Sequence, residues 1–259
     1  MDITTPTLQD PGFQKPVAPV VRRTPPARMT VKFADKKIFN DKFIQFAFEL
    51  TEPHRMPFLA GQYVSIQVAE NGDRRSYSIC SSPSLDHRFD VLVDISPQGV
   101  GSKFLENLEY GASVDALGPM GGFTISQNSD ETELVLIATG SGISPMRSIV
   151  LDQLQVKNDK RKITLYWGMR YVEELFWQDE FAELVDTFDN FSFHPVISKA
   201  VDGWTLCRGR VTDCLSVHQE HDSQTGYYLC GNQPMIHDVL GYFETKGIDK
   251  KYQHHEKFY

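Results

Sequence analysis

Around Ser129 the hydrophobic pattern changes its period, and that change limits the possible folds more than any other feature of the chain. Before it, apolar residues alternate with polar ones: Ile44, Phe46, Phe48 and Leu50 in one run, Val64, Ile66 and Val68 in a second, Phe89, Val91, Val93 and Ile95 in a third. Strands of that kind bury one face, as an antiparallel sheet requires. After it, Leu134-Val135-Leu136-Ile137-Ala138 is continuously apolar, as a parallel strand covered on both faces must be. The expected architecture is therefore two-domain: a small N-terminal antiparallel β-barrel over residues 28–128, then a doubly wound α/β domain with a parallel sheet over residues 129–259. Residues 1–27 carry six of the fourteen prolines and the run Arg22-Arg23, and read as a disordered or extended lead-in.

Punctuation supports the division. Glu52-Pro53, Phe58-Leu59-Ala60-Gly61, Pro83 and Asp115-Ala116-Leu117-Gly118-Pro119 separate the short strands of the first half. One helix interrupts them after Gly99-Val100-Gly101-Ser102, with Ser102 or Gly101 as its cap. In the second half the order is strand 133–138, a helix through Met146, Ile149, Val150 and Leu154, strand 163–167, a helix from Glu173 to Val185, strand 191–197, a helix over 211–217 and strand 227–230. Pro234 then opens a last helix that Gly247 stops.

Composition excludes several classes. A net charge of −8 disfavours nucleic-acid binding. No apolar run approaches the ~18 residues of a membrane span, and the N-terminus lacks a signal-peptide core, so a cytoplasmic protein is expected. Cys80, Cys207, Cys214 and Cys230 are scattered without a CxxC pair, so neither a disulfide framework nor a metal site is expected. His254-His255 reads as a solvated pair in the tail.

Three stretches carry chemistry. Arg74-Arg75-Ser76-Tyr77-Ser78 opens a strand with two guanidiniums and sets an aromatic plate between two hydroxyls, a surface suited to a ligand with a phosphate and a planar ring. The same residues also suit an exposed edge strand with solvated charges. Gly140-Ser141-Gly142-Ile143-Ser144-Pro145, just after Thr139, lies at a strand-to-helix turn where backbone can approach a pyrophosphate; it departs from GxGxxG, and Pro145 fits a first helical turn. Cys230 ends the last strong strand at the carboxyl edge where open α/β sheets bind ligands, although a cysteine there is also an ordinary small core residue.

Taken together and in this order, the motifs resemble the ferredoxin–NADP⁺ reductase family of FAD- and NAD(P)-binding oxidoreductases, over roughly residues 30–259. Arg75-Ser76-Tyr77-Ser78 matches the family's flavin strand, Gly99-Val100-Gly101-Ser102 its Gly-x-x-Ser turn, and Gly118 to Phe123 its Gly-Pro-x-Gly-x-Phe loop. Gly140 to Pro145 matches the nicotinamide-nucleotide loop, and Cys230-Gly231-Asn232-Gln233-Pro234-Met235 the Cys-Gly-x-x-x-Met element. The resemblance implies Arg75 on the FAD pyrophosphate, Tyr77 against the isoalloxazine and Ser78 near its N5. It also implies Cys230 beside the nicotinamide, and Glu256 with Phe258 or Tyr259 at the flavin's other face. Ser144 departs from the usual alanine.

The implied activity is transfer of hydride from NADH or NADPH to FAD, with Ser78, Cys230 and Glu256 at the reacting centre, followed by single-electron delivery to a separate ferredoxin-like, iron–sulfur or oxygenase protein. Ser198-Lys199, Arg208 and Arg210 lie where NADPH-using relatives place basic groups, whereas Trp204 stands where those relatives are basic; the balance tips slightly to NADH. Two other roles share the same motifs: an electron-transfer subunit of a larger complex, and a nucleotide-sensing module without catalysis.

Overall fold

The computed structural model describes residues 24–126 and 128–257. The lead-in assigned to residues 1–27 falls largely outside these, as do Phe258 and Tyr259.

The alternating runs become β1 (Ala27–Ile38), β2 (Phe43–Glu52), β3 (Tyr63–Gln67), β4 (Arg74–Ser78), β5 (Arg88–Asp94) and, after helix α1 (Val100–Glu106), β6 (Ser113–Met120). They form one antiparallel sheet in the order β4-β3-β6-β1-β2-β5. Its two ends nearly meet. Ile79, just past β4, bridges Val91 of β5, and the Cys80 amide donates to the Asp90 carbonyl at 2.8 Å. The sheet thus curls into a barrel filled by Phe33, Phe46, Phe48, Val64, Ile66, Phe89 and Val91, all inaccessible to solvent.

The continuous runs become a parallel sheet. Its elements are β7 (Glu133–Thr139), α2 (Ile143–Leu151), β8 (Lys162–Met169), α3 (Gln178–Thr187), β9 (Phe191–Ile197), β10 (Cys207–Arg208), α4 (Val211–His218), β11 (Thr225–Gly231), α5 (Gln233–Lys246) and β12 (Gln253–Lys257). The order β10-β9-β8-β7-β11-β12 reverses direction between β7 and β11. Apolar clusters cover both faces, as the runs demand. Among the described residues no helix is long and apolar enough to cross a membrane.

One cluster is shared by the two halves. Phe43, Ala60, Cys80, Leu92 and Phe123 of the first pack with Leu134, Leu136, Met146 and Trp167 of the second. Polar bonds reinforce it: Arg147 donates to the Cys80 carbonyl at 2.7 Å and to Glu180, and the Ser148 hydroxyl donates to the Ser81 carbonyl at 2.7 Å. The chain leaving β4 is thereby fixed to α2, the helix that follows the Gly140 loop.

Several local expectations change. Cys207 and Cys214 form a disulfide, because β10 and α4 bring their Cα atoms to 5.9 Å. Asp115 to Pro119 lies inside β6, not in a turn, since its carbonyls and amides complete the ladders to β1 and β3. The helix expected from Glu173 breaks: a 3₁₀ turn covers Val172–Glu174, and α3 starts only after Trp177, whose φ of 55° cannot continue a helix. The α1 cap is Gly99, with Ser102 donating back to the Gly99 carbonyl at 3.0 Å. Arg74 is no free surface charge, for its guanidinium donates to the carbonyls of Ser65 and Asp115.

Candidate functional site

Strand geometry places Arg75 and Tyr77 on one face of β4 and Ser76 and Ser78 on the other. The first turn of α1 closes over the Arg75 and Tyr77 face. A Cβ on Gly101 would stand 2.4 Å from the Tyr77 hydroxyl and 2.9 Å from Arg75 Cγ, so only glycine permits that approach. Arg75 and Ser76 are exposed, and Tyr77 is half-buried with its phenol pushed up to about 12 by burial. Ser78 is buried, and its hydroxyl has no hydrogen-bond partner within the chain. A buried hydroxyl without a partner costs about 1–3 kcal/mol, so a polar ligand atom is the natural complement. These features fit the FAD that the motifs imply: an exposed cation, an aromatic plate, a close-packed glycine turn and a hydroxyl awaiting a partner. Gly99, Val100 and Ser102 frame the same turn.

The second group assembles where the sheet order reverses. Thr139 ends β7, and Cys230 is the last residue but one of β11, the adjacent strand. A Cβ on Gly142 would lie 2.2 Å from the Cys230 carbonyl oxygen and 2.6 Å from its carbon, so the Gly140 loop packs directly on the end of β11. Thr139 Oγ1 accepts from the Asn232 amide and side chain at 3.4 and 3.3 Å. Asn232 in turn caps α5 by accepting from the Met235 amide at 2.9 Å, which fixes Gly231 and Met235 beside Thr139. Pro145 sits buried in the first turn of α2, as expected.

A cavity of about 570 Å³ opens at this switch point. Thr139, Gly140, Asn232 and Met235 line it from the parallel sheet, and Lys42, Phe43, Asp94 and Ser96 line it from the barrel. Ligands of open α/β sheets bind in this position, beyond the carboxyl ends of strands that diverge. Gly142, Pro145, Cys230 and Gly231 stand behind its wall, and the Arg75–Ser78 group lies apart from it. The structure adds Gly168, Met169, Thr212 and Asp238, which the motifs did not mark. For Gly168 and Met169 the signal was available, since they end β8 at the same carboxyl edge.

Two of the basic residues near the cavity are engaged, whereas Arg170, which lines it, and Lys199 are exposed. Arg208 donates to the carbonyls of Val201 and Trp204 at 3.2 and 2.7 Å, and Arg210 is paired with Asp238. Ser198 lines the cavity.

Cys230 is wholly inaccessible, and burial, then the nearby Glu256 carboxylate, push its thiol well above the ordinary value; it is a thiol at neutral pH. β12 lies beside β11 with Glu256 in register with Cys230. Burial raises the Glu256 carboxyl to about 7, and one of its oxygens is buried without a partner.

The tail strand is held from below. His254, expected in a solvated tail pair, instead reaches the buried Glu131 at 2.8 Å, where the Tyr228 hydroxyl also donates at 2.9 Å and the Ser129 hydroxyl at 3.0 Å. Burial alone would raise the Glu131 carboxyl, but the bonds from His254, Tyr228 and Ser129 outweigh it and hold it below the usual carboxylate value. This network positions β12, and with it Glu256.

Comparison with known proteins finds a family match in each half of the chain. The family pattern of an oxidoreductase FAD-binding domain matches residues 30–125, and that of an oxidoreductase NAD-binding domain matches residues 136–240. The anthranilate 1,2-dioxygenase electron transfer component of Acinetobacter baylyi is 31% identical over 205 residues, covering 79% of this chain and 59% of that protein. Ferredoxin–NADP reductase B of Sorangium cellulosum is 29% identical, covering 83% of this chain and 91% of that protein. The crystal structure of the Amycolatopsis cytochrome P450 reductase GcoB superposes with a TM-score of 0.84 at 28% identity, over 93% of this chain and 73% of that one. The chain thus spans about three-fifths of the length of the dioxygenase component that it matches.

Proposed function

The chain belongs to the ferredoxin–NADP⁺ reductase-like family of FAD- and NAD(P)-binding oxidoreductases, and from that premise we propose that it takes reducing equivalents from NAD(P)H, with NADH preferred, and delivers electrons singly to a separate iron–sulfur or oxygenase protein. The observation that carries this reading is the cavity at the β7/β11 switch point, lined from both the sheet and the barrel, so that a dinucleotide seated there faces the barrel. When bound, FAD supplies acceptance of a hydride and its release as single electrons. We divide the chain into a flavin domain at 28–128 and a nucleotide domain at 129–259, preceded by the 1–27 lead-in, and assign the protein to the cytoplasm.

The chain's own residues then have distinct tasks. Arg75, exposed on β4, binds the pyrophosphate of the flavin, and Tyr77 offers its half-buried ring as a plate. Ser78 gives its unpartnered hydroxyl to the ring's edge. Thr139 and Gly140, which line the cavity, receive the dinucleotide phosphates, with Gly142 and the first turn of α2 packed behind them. Cys230, kept as a neutral thiol, backs the nicotinamide end of the cavity from beneath its wall without adding charge. Glu256, with a carboxyl near 7, can hold or release a proton at neutral pH on the strand next to Cys230. The lean to NADH rests on Trp204, which stands where NADPH-using relatives are basic, and on Arg208 and Arg210, which are held by backbone carbonyls and by Asp238; the exposed Arg170 on the cavity wall is the cation that a 2′-phosphate would meet.

The test is purification followed by turnover. The protein should carry FAD and reduce an artificial one-electron acceptor with NADH, and Arg75→Ala with Tyr77→Ala should lower FAD retention at least tenfold. A protein that binds neither FAD nor dinucleotide would refute the proposal.

A further inference from the structure

Cys207, Cys214 and His194 meet on the face of the sheet covered by α4. His194 lies on β9, Cys207 on the neighbouring edge strand β10, and Cys214 on α4. Their ligand-capable atoms, two sulfurs and an imidazole nitrogen, lie within 4.8 Å of one another. Among the described residues this is the group whose donor types and spacing match a soft-metal site. With the disulfide closed, the sulfurs are unavailable to a metal. In a reducing compartment, however, disulfides are rare, and close cysteine pairs in intracellular enzymes are more often ligands or redox groups.

We propose that the reduced chain holds one zinc ion between Cys207, Cys214 and His194. A dithiol reductant opens the bond by thiol–disulfide exchange: two electrons and two protons pass to the pair, and the reductant becomes a disulfide. Zinc then displaces the two thiol protons to solvent and binds both thiolates and the neutral imidazole. Zinc bonds of about 2.3 Å to sulfur and about 2.0 Å to nitrogen set ligand atoms roughly 3.3–3.8 Å apart; the sulfurs, joined in the disulfide, separate to that spacing on reduction, and the imidazole nitrogen already lies within 4.8 Å of both. Three protein ligands leave a fourth position. His218, one helical turn beyond Cys214, stacks its ring on His194 at 5.2 Å between centroids but is not among the atoms within 4.8 Å, so the fourth position falls to water.

Position gives the site its consequence. The segment between the two cysteines contains Gly209, Arg210, Val211 and Thr212, all of which line the dinucleotide cavity. Either cross-link, disulfide or zinc, anchors that wall at both ends.

The full-length flavin-loaded protein is reduced with a dithiol, freed of reductant without air, incubated with zinc chloride and desalted. Atomic emission should then find one zinc per chain, and zinc-edge X-ray absorption should find two sulfur neighbours at about 2.3 Å. The oxidised protein and the Cys207→Ser/Cys214→Ser double variant should each retain less than a tenth as much. His194→Gln changes a half-buried side chain and no sulfur, and should weaken zinc binding at least tenfold while leaving FAD content and circular dichroism unchanged. Equal retention by the oxidised protein or the double variant, a shell of nitrogen and oxygen only, or undiminished affinity in His194→Gln would overturn the proposal.

Discussion

Gly142→Ala tests the packing on which the nucleotide site depends. An added Cβ would sit 2.2 Å from the Cys230 carbonyl oxygen, 2.6 Å from its carbon and 2.9 Å from Gly231 Cα. All three are backbone atoms, so no side chain can rotate away and the α2 loop must separate from the end of β11. Overpacking of this kind costs about 1–3 kcal/mol, and the backbone contact puts Gly142→Ala near 3 kcal/mol. With a slope of about 3 kcal/mol per molar urea, the unfolding midpoint should fall by about 1 M. Gly140→Ala is the control in the same loop. Nothing lies within 4 Å of its added Cβ, and only its φ of 55° is unfavourable, a cost of about 1–2 kcal/mol. Rapid-mixing kinetics should show Gly142→Ala keeping its FAD while flavin reduction by NADH slows about 100-fold, the typical cost of a misplacement near 1 Å. A Gly142→Ala protein with the wild-type urea midpoint and reduction rate would refute the reasoning.

Three further outcomes follow from the site and its supports. The Glu256 carboxyl is raised from an ordinary 4.5 to about 7, so the folded state binds its proton more tightly and stability falls as pH rises from about 4.5 to about 7; Glu256→Gln should flatten that decline and be the more stable form at pH 8 but not at pH 4, as urea midpoints would record. Glu180→Ala leaves the Arg147 guanidinium without its carboxylate at the junction of the two halves and should cost about 3 kcal/mol, the low end for a buried pair because Glu180 is 29% exposed; denaturation of the variant beside Arg147→Met would check it. Asp238→Asn frees Arg210 in the cavity and should raise kcat/KM for NADPH relative to NADH by about tenfold, one charged hydrogen bond's worth; an unchanged ratio would remove Arg210 from the specificity argument.

The parts of the fold that were legible in the sequence are those written in local periodicity. Alternation through Ile44–Leu50 and Phe89–Ile95 gave antiparallel barrel strands, and the unbroken run 134–138 gave a parallel strand, whereas the strand order that makes its switch point was not legible. The glycine loop was readable for the same reason, since a tight turn is enforced within a few residues. What escaped depends on distant partners. The His254 bond to Glu131 spans 123 residues, and the Arg74 bond to the Asp115 carbonyl crosses from β4 to β6. Cys207 and Cys214 carry no spacing signal, because a short strand and a helix, not a loop motif, bring them together. The α3 start was misplaced because Trp177 adopts a left-handed backbone that its residue type does not announce. The unpartnered hydroxyl of Ser78 and the raised carboxyl of Glu256 emerge only once burial is known.

The central claim is that this chain couples a dinucleotide to a flavin, and an anaerobic titration tests it most directly. The FAD-loaded protein would be titrated in parallel with NADH and NADPH while the flavin absorbance is followed. Bleaching by one equivalent of NADH, with NADPH slower or weaker, is the predicted result. A flavin that stays oxidised with both nucleotides would contradict the account.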